Sequence, residues 1–500
     1  MLRNSLLSLI GLVVFCSFTA AADLNAKPNF VVIIADDMSW DDCGAYGHPT
    51  IRTPNIDQLA KDGMKFDLAF LTISSCSPSR ASIITGRYPH RTDADELHWP
   101  LPGEQTTFTE VLMKAGYWCG AAGKWHLGDA VEDRFDKIMA ADTSGFQLPT
   151  GKAAATGKFV ESTQGDVRSG CTDWVPLLKA RDKKKPFCVW LAALDPHRPY
   201  GEELNTKQYS VSDIRLPPYH PAHEDVHADY LQYYAEITRL DRFVGDVMEE
   251  LESQGVAKNT FVVFLSDNGR PFPRDKTTIY DSGIRTPFIV RFPSMVKAGS
   301  MCRSLVSSID IGPTILDLAG VEIPKTMDGR SFQTQLRDPI ASGQKYIFAE
   351  KNWHDFEDHA RAVRDMRFKY IRNYYDDLPN TPPADAVRSP TYVVMNSMYK
   401  AGKLPPQQRT CFDAPRPKEE LYDAVNDPHE LNNLAGDANY TGHLKRLRDA
   451  LADWEQKTGD APPKLRTADE FDRVTGKPTA ARRRPRWSKK KMVAEGLTAP

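Results

Sequence analysis

Two acidic pairs stand immediately after apolar runs that read as strands. Asp36-Asp37 follows Val31 to Ala35, and Asp267-Asn268 follows Phe261 to Ser266. In an open α/β sheet, groups just past the carboxyl ends of strands converge on one crevice, so pairs far apart in the chain can share a site. Asp36, Asp37, Asp267 and Asn268 would bring three carboxylates and an amide oxygen, a hard donor set that suits calcium or magnesium rather than zinc. Like charges ~4 Å apart repel by about 4 kcal/mol at an effective dielectric of ~20, so a divalent cation is the natural remedy. Singly, each pair more often closes a turn or caps a helix; both together at strand ends point to a metal.

A third element is Ser75-Cys76-Ser77-Pro78-Ser79-Arg80. Ser77 reads as an N-cap and Pro78 as a first helical residue, which predicts a helix starting just after Cys76. Its free amides and positive end would stabilise an anion held at Cys76. A lone cysteine more often packs in a core. Of the eight cysteines, Cys16 lies in the N-terminal apolar run, and the remaining seven are scattered, with no Cys-x-x-Cys pair. That is neither a disulfide framework nor a zinc site.

The elements that must position these groups are legible as alternating runs. Phe30 to Ala35, Phe187 to Leu194, Thr260 to Leu265 and Pro287 to Phe292 are rich in Val, Ile and Phe and separated by helical stretches, the pattern of buried, mainly parallel strands. Asp225 to Ser253 carries Tyr230, Tyr233, Tyr234, Ile237, Leu240, Val244, Val247 and Leu251 at helical spacing, with Gly255 as a stop. Its aromatic stripe reads as core packing. After residue 340 the pattern changes: Tyr346 to Glu350, Ala360 to Val363 and Phe368 to Arg372 predict a small antiparallel sheet, and Tyr440 to Thr458 a closing helix. The fold class is therefore α/β: a large mixed, mainly parallel sheet flanked by helices, followed by a smaller C-terminal α+β domain on an antiparallel sheet. The divisions are 23–340 for the first unit, 341–460 for the second, and 461–500 for a basic, disordered tail ending near Arg482 to Lys491.

Residues 1–22 have a positive start at Arg3, an apolar run from Leu6 to Phe18 and Ala20-Ala21-Ala22, which reads as a cleaved secretory signal. The run is shorter than the ~20 residues that span a bilayer, so no stable membrane insertion is expected, and the product is expected in a periplasm or outside the cell. Over 500 residues, 41% hydrophobic and 26% charged with a formal net charge of −2, the composition is that of a globular protein with no bulk attraction for nucleic acid.

Cys76-Ser77-Pro78-Ser79-Arg80 matches the Cys-x-Pro-Ser-Arg signature of the type I sulfatases, and Gly116-Tyr117 through Gly123-Lys124-Trp125-His126 resembles the second signature of that family, with Cys119 where many members have threonine. The resemblance continues through Asp195-Pro196-His197 and Ser266-Asp267-Asn268-Gly269 to Leu421-Tyr422-Asp423 and Asp427-Pro428-His429-Glu430, roughly Pro28 to Leu434. Asp267-Asn268-Gly269-Arg270-Pro271-Phe272-Pro273 is similar to the sulfamidase branch, although Lys276 stands where that branch has arginine and O-sulfatases have lysine. The resemblance implies an alkaline-phosphatase-like fold, a formylglycine made from Cys76 by a formylglycine-generating or anaerobic sulfatase-maturing enzyme, and Ca2+ held by Asp36, Asp37, Asp267, Asn268 and the oxygen of residue 76. It also implies roles for Arg80 and Lys124 in stabilising the hydrate and the bound anion, for His126 as a base, and for His197 and Lys276 in gripping sulfate and protonating the leaving group of a sulfated carbohydrate. Asn352-Trp353-His354-Asp355 falls between predicted strands, where a Trp and a His could meet a sugar; His354, with Arg361 and His98, makes up the candidate substrate set. The competing readings are a phosphate ester hydrolase of the same superfamily and a carbohydrate-binding protein without turnover.

Overall fold

The computed structural model describes residues 27–141, 165–201 and 205–483. The N-terminal run 1–22 and the basic stretch Arg484 to Lys491 therefore lie outside the described residues. The strands are β1 (Asn29–Ala35), β2 (Met64–Phe66), β3 (Ala69–Phe70), β4 (Trp118–Gly123), β5 (Lys137–Ala140), β6 (Phe187–Ala192), β7 (Thr260–Ser266), β8 (Phe288–Arg291), β9 (Ser300–Cys302), β10 (Val306–Ser307), β11 (Ile347–Lys351), β12 (Ala360–Arg364), β13 (Phe368–Asn373) and β14 (Glu419–Asp423).

One sheet of eight strands runs β5-β4-β6-β1-β7-β8-β2-β9. Its centre is parallel, and β8 is antiparallel to both β7 and β2. The central sequences Asn-Phe-Val-Val-Ile-Ile-Ala, Phe-Cys-Val-Trp-Leu-Ala and Thr-Phe-Val-Val-Phe-Leu-Ser are buried at every position, as strands covered on both faces must be. The long helix Glu224–Ser253 covers one face, and its Tyr230, Tyr233, Tyr234, Ile237, Leu240, Val244, Val247 and Leu251 all lie in the core beside Val31, Ile33, Val262 and Phe264. β4 gives little apolar signal of its own because Gly120, Ala121 and Ala122 supply most of it.

A second sheet, β11-β12-β13-β14, is antiparallel throughout. The helix Thr441–Thr458 closes it through Leu444, Leu447, Leu451 and Trp454. Among the described residues no helix is long and apolar enough to cross a membrane.

The stretch after residue 460 departs from the predicted tail. Residues up to 483 fold back onto the second unit: Phe471 is 1% exposed and packs with Phe356, Ala384, Val387, Tyr392 and Cys411. Arg388 donates to Gly476 O at 2.7 Å, close enough that a Cβ at Gly476 would lie 2.9 Å from Arg388 Cγ. Gly476 also holds φ +63°, a backbone only glycine adopts readily. Apolar periodicity fades here because the segment packs as a turn-rich strap with Phe471 as its deep apolar anchor, not as a helix or strand. All seven cysteines from Cys43 to Cys411 are unbridged and buried.

Candidate active site

Strand register brings the distant motifs to one level. Ala35 of β1 pairs with Ser266 of β7, and Ile34 with Ala192 of β6, which in turn pairs with Gly123 of β4. Four neighbouring strands thus release Asp36-Asp37, Asp267-Asn268, Asp195-Pro196-His197 and Lys124-Trp125-His126 at the same sheet edge, the crevice rule in its simplest form. Asp36 N donates to Asp195 O at 2.9 Å and Asp267 N to Ala35 O at 3.1 Å, tying the strand ends together. Asp37 then turns sharply, with φ 72°, a conformation that Asp tolerates better than most residues.

The helix Cys76–Thr85 points its first residue into this edge. It starts earlier than predicted: Ser75 is the N-cap, Cys76 the first helical residue, and Pro78 the third. Ser79 N donates to Ser75 O at 2.8 Å, so the turn closes before Ser77 could cap it. Gly86, at φ 63°, ends the helix. The helix is buried along its whole length, and Arg80 lies one turn below Cys76 on the same face.

Cys76 Sγ lies 3.6 Å from Asp36 Oδ1, and Asn268 Nδ2 is 3.3 Å from Cys76 Sγ. Asp36, Asp37, Asp267 and Asn268 are all fully buried. The expected repulsion among the carboxylates is relieved inside the protein itself. Lys124 pairs with Asp36, Lys276 Nζ with Asp37 Oδ2 at 2.7 Å, and Arg80 Nε donates to Asp267 Oδ2 at 2.8 Å. Burial nevertheless raises Asp37 to about 8, against the opposing pull of Lys276 and His197. Burial likewise raises Asp267, opposed by Arg80. Asp36 falls below the ordinary carboxylate range, because Lys124, His197 and Arg80 together outweigh its burial. The Cys76 thiol is pushed up by burial despite Lys124 and Lys276, so as a plain thiol it is a poor nucleophile.

The donor chemistry fits a divalent cation. Asn268 Nδ2 faces Asp37 Oδ1 at 3.0 Å, Asp267 Oδ1 at 2.8 Å and the Cys76 sulfur, while its buried Oδ1 has no hydrogen-bond partner. The two ends of an amide are nearly isosteric, and reversing this one would set an oxygen among the carboxylates, where a cation satisfies it. Asp36, Asp37, Cys76 and His197 also offer ligand atoms within 4.8 Å of one another. The imidazole of His197 therefore joins the edge of the cluster, with Nε2 3.7 Å from Asp37 Oδ2.

The other predicted residues separate. His126 Nε2 is 2.7 Å from His98 Nδ1 at the open side of the cluster, and burial, with His98 and Lys124 nearby, holds His126 well below its ordinary value, in the neutral form a base needs. His98 is exposed at this rim. His354 is buried, its Nδ1 2.7 Å from Ser75 Oγ, and so braces the residue next to Cys76. Trp353 does not offer a stacking face: it is 2% exposed and packs on Cys76 and Leu97. Arg361, also proposed to meet substrate, is 1% exposed, paired with Asp460 and bonded to Asn352 Oδ1 at 2.9 Å. Its guanidinium is spent on holding β12 to the end of the closing helix. A residue that no motif marks enters instead: Asp385, from the short helix Ala384–Val387, lies 3.8 Å from His197 Nε2.

A buried cysteine at a helix tip among carboxylates and cationic side chains, at the carboxyl edge of a parallel sheet, defines a hydrolase of anionic esters. The chain belongs to the sulfatase family: the family model "Sulfatase" matches residues 28–321, and the model "N-sulphoglucosamine sulphohydrolase, C-terminal" matches residues 272–406. An ulvan-active sulfatase of Formosa agariphila is 31% identical over 87% of this chain and 76% of its own length. Human N-sulphoglucosamine sulphohydrolase is 30% identical over 87% of this chain and 91% of its own. A chain solved in complex with D-glucosamine-2-N,6-O-disulfate superposes with a TM-score of 0.64 at 22% identity, covering 87% of this chain and 99% of that one. A phosphonate monoester hydrolase of Agrobacterium radiobacter shares the fold with a TM-score of 0.66 at 19% identity, over 92% of this chain and 100% of that one. The family uses a formylglycine and a divalent metal.

Proposed function

We propose that this chain hydrolyses the sulfate esters or sulfamates of sulfated carbohydrates, using a formylglycine made from Cys76 by a dedicated maturing enzyme. Its metal is calcium, held by Asp36, Asp37, Asp267, Asn268 and the oxygen of the matured residue 76. A hard cation follows from the all-oxygen carboxylate and amide set, which a softer metal would not select, and calcium is the one that the family resemblance implies. When bound, the cation supplies Lewis-acid polarisation and the aldehyde hydrate supplies the nucleophile.

The chain's own residues do the rest. The tip of helix Cys76–Thr85 directs its free amides at position 76, where negative charge gathers. Arg80 is locked by Asp267, which fixes its guanidinium beneath the reacting group. Lys124 and Lys276 come from opposite sides of the cluster and carry the positive charge that a sulfate group needs. His197 Nδ1 donates to Arg198 O, which turns Nε2 toward the site, where it can hold the proton that the leaving atom requires. His126, kept neutral by burial beside His98 and Lys124, is the group we assign to take a proton from residue 76. Export, consistent with the N-terminal sequence, brings the enzyme to polysaccharide outside the cytoplasm.

The observation that carries this reading is the contact of Cys76 with Asp36 and Asn268 in a fully buried charged cluster. The test is mass spectrometry of the Cys76 peptide from protein made with a maturing enzyme, alongside sulfate release from sulfated saccharides. Conversion to the aldehyde with turnover is expected; unmodified cysteine throughout with no release would overturn it.

A further inference from the structure

Asp385 is a carboxylate in a place built for anions. It stands outside every sulfatase motif, on the four-residue helix Ala384–Val387 of the second unit. Its Oδ1 accepts from Ala386 N at 2.7 Å, which orients the group, and its Oδ2 lies 3.8 Å from His197 Nε2. The side chain is 21% exposed, whereas Asp37, which approaches the same nitrogen of His197, is fully buried. Among the described residues no side chain donates to Oδ2 at hydrogen-bond distance. Burial would raise the group, but Lys276 and then His197 pull it below the ordinary carboxylate range.

An ionised carboxylate beside Lys276 and His197 repels a bound sulfate. It is tolerable only if it faces the part of the substrate that is not sulfate. His197 Nε2 sets that geometry. An atom receiving its hydrogen bond sits about 2.9 Å away, and such an atom can lie within hydrogen-bond reach of an oxygen 3.8 Å from the same nitrogen when both are on the same side of Nε2.

We propose that Asp385 is a specificity-determining residue whose Oδ2 accepts a hydrogen bond from the leaving sugar. The donor is the bridging N–H of a sulfamate or a hydroxyl beside a sulfate ester. The inference rests on the hydrolase reading above and concerns recognition of the sugar, not of sulfate. A site that hydrogen-bonds a substrate N–H or O–H discriminates strongly against analogues lacking it.

The test compares matured full-length wild type with Asp385→Ala and Asp385→Asn on three substrates: N-sulfoglucosamine, glucosamine 6-sulfate and 4-nitrophenyl sulfate. The leaving group of the last carries no N–H or O–H donor beside the scissile bond. In Asp385→Ala the loss of kcat/KM on a sugar substrate should exceed the loss on the aryl sulfate by at least about 30-fold. Asp385→Asn, which keeps an acceptor oxygen, should recover part of the difference, and it serves alone if the alanine variant does not fold. A larger loss on N-sulfoglucosamine assigns the donor as N–H, and on glucosamine 6-sulfate as O–H. Equal losses on all three substrates, or a wild type that turns over the aryl sulfate alone, would overturn the proposal. A wild type that releases sulfate from none of them would sink the hydrolase reading itself.

Discussion

Position 76 and its immediate partners separate chemistry from folding. Cys76→Ala removes one buried sulfur at the start of a helix whose other residues pack independently of it, so the loss of stability should be about 1 kcal/mol. Sulfate release should fall below detection while the unfolding temperature moves by only a few degrees; residual turnover above about 1% of wild type would contradict a covalent role for residue 76. Asp267→Asn preserves shape and still lets Arg80 Nε find an acceptor, while removing one charge from the proposed cation site. Bound calcium, measured by elemental analysis, should drop at least about tenfold, and undiminished calcium would remove Asp267 from the ligand set. These groups were legible because the chemistry fixes their types: carboxylates at strand ends, a cysteine before Pro-Ser-Arg. Asp385, Trp353 and Arg361 were not legible. Whether a loop residue faces substrate or the core depends on tertiary packing, and in this protein Trp353 and Arg361 turned inward while Asp385, with no motif around it, turned toward His197.

The elements were readable where periodicity is strong. β1, β6, β7 and the helix Glu224–Ser253 lie within a residue or two of their predicted bounds, whereas β4 escaped because glycine and alanine carry no strand preference. β14 escaped because Glu419-Glu420-Leu421-Tyr422-Asp423 is mostly polar, its acids taken up by Tyr280, Tyr370, Arg448 and Arg367. The junction of β12 with the end of helix Thr441–Thr458 has a measurable pH signature. Burial alone would raise Asp460, but the Arg361 guanidinium beside it lowers it to about 2. The folded-state value lies below the ordinary 3.8, so the ion pair contributes fully above that pH and is lost as pH falls through about 2. A shift of this size is worth about 2 kcal/mol. Asp460→Asn should lower the unfolding temperature near neutrality by several degrees, and its difference from wild type should shrink steadily between about pH 4 and pH 2.5. A difference that stays constant across that range would mean the pair does not couple to folding.

At the scale of the whole molecule, the site is assembled from both units and backed by the strap that follows them. Calcium binding only the folded state should stabilise it by RT ln(1 + [L]/Kd), about 2.7 kcal/mol at a hundredfold excess over Kd, so a chelator should lower the unfolding temperature and added calcium restore it. The strap makes a stronger claim, because composition placed it in a disordered tail. Its Ala468 O accepts from Trp353 Nε1 at 3.2 Å, its Glu470 N donates to Asp355 O at 2.8 Å, and its Thr467 Oγ1 bonds Glu96 at 2.9 Å. Phe471 fills the pocket under Ala384 and Val387, the helix that carries Asp385. Each contact ends on a segment that lines or backs the catalytic group, yet none involves the large sheet. A chain ending after Asp460 should therefore retain its parallel core but expose Trp353 and loosen the loop 352–359 and the helix of Asp385. Removing a buried Phe alone typically costs about 3–5 kcal/mol, enough to unfold a locally supported segment. Turnover of sulfated sugars should fall at least about tenfold, whereas a chain ending after Arg483 should match the full-length enzyme; the tryptophan emission of the shorter chain should shift toward the solvent-exposed range relative to the chain ending after Arg483, since both lack Trp487. If the shorter chain keeps full turnover and an unshifted emission, residues 461–483 only rest on the surface, and the second unit positions its share of the site without them.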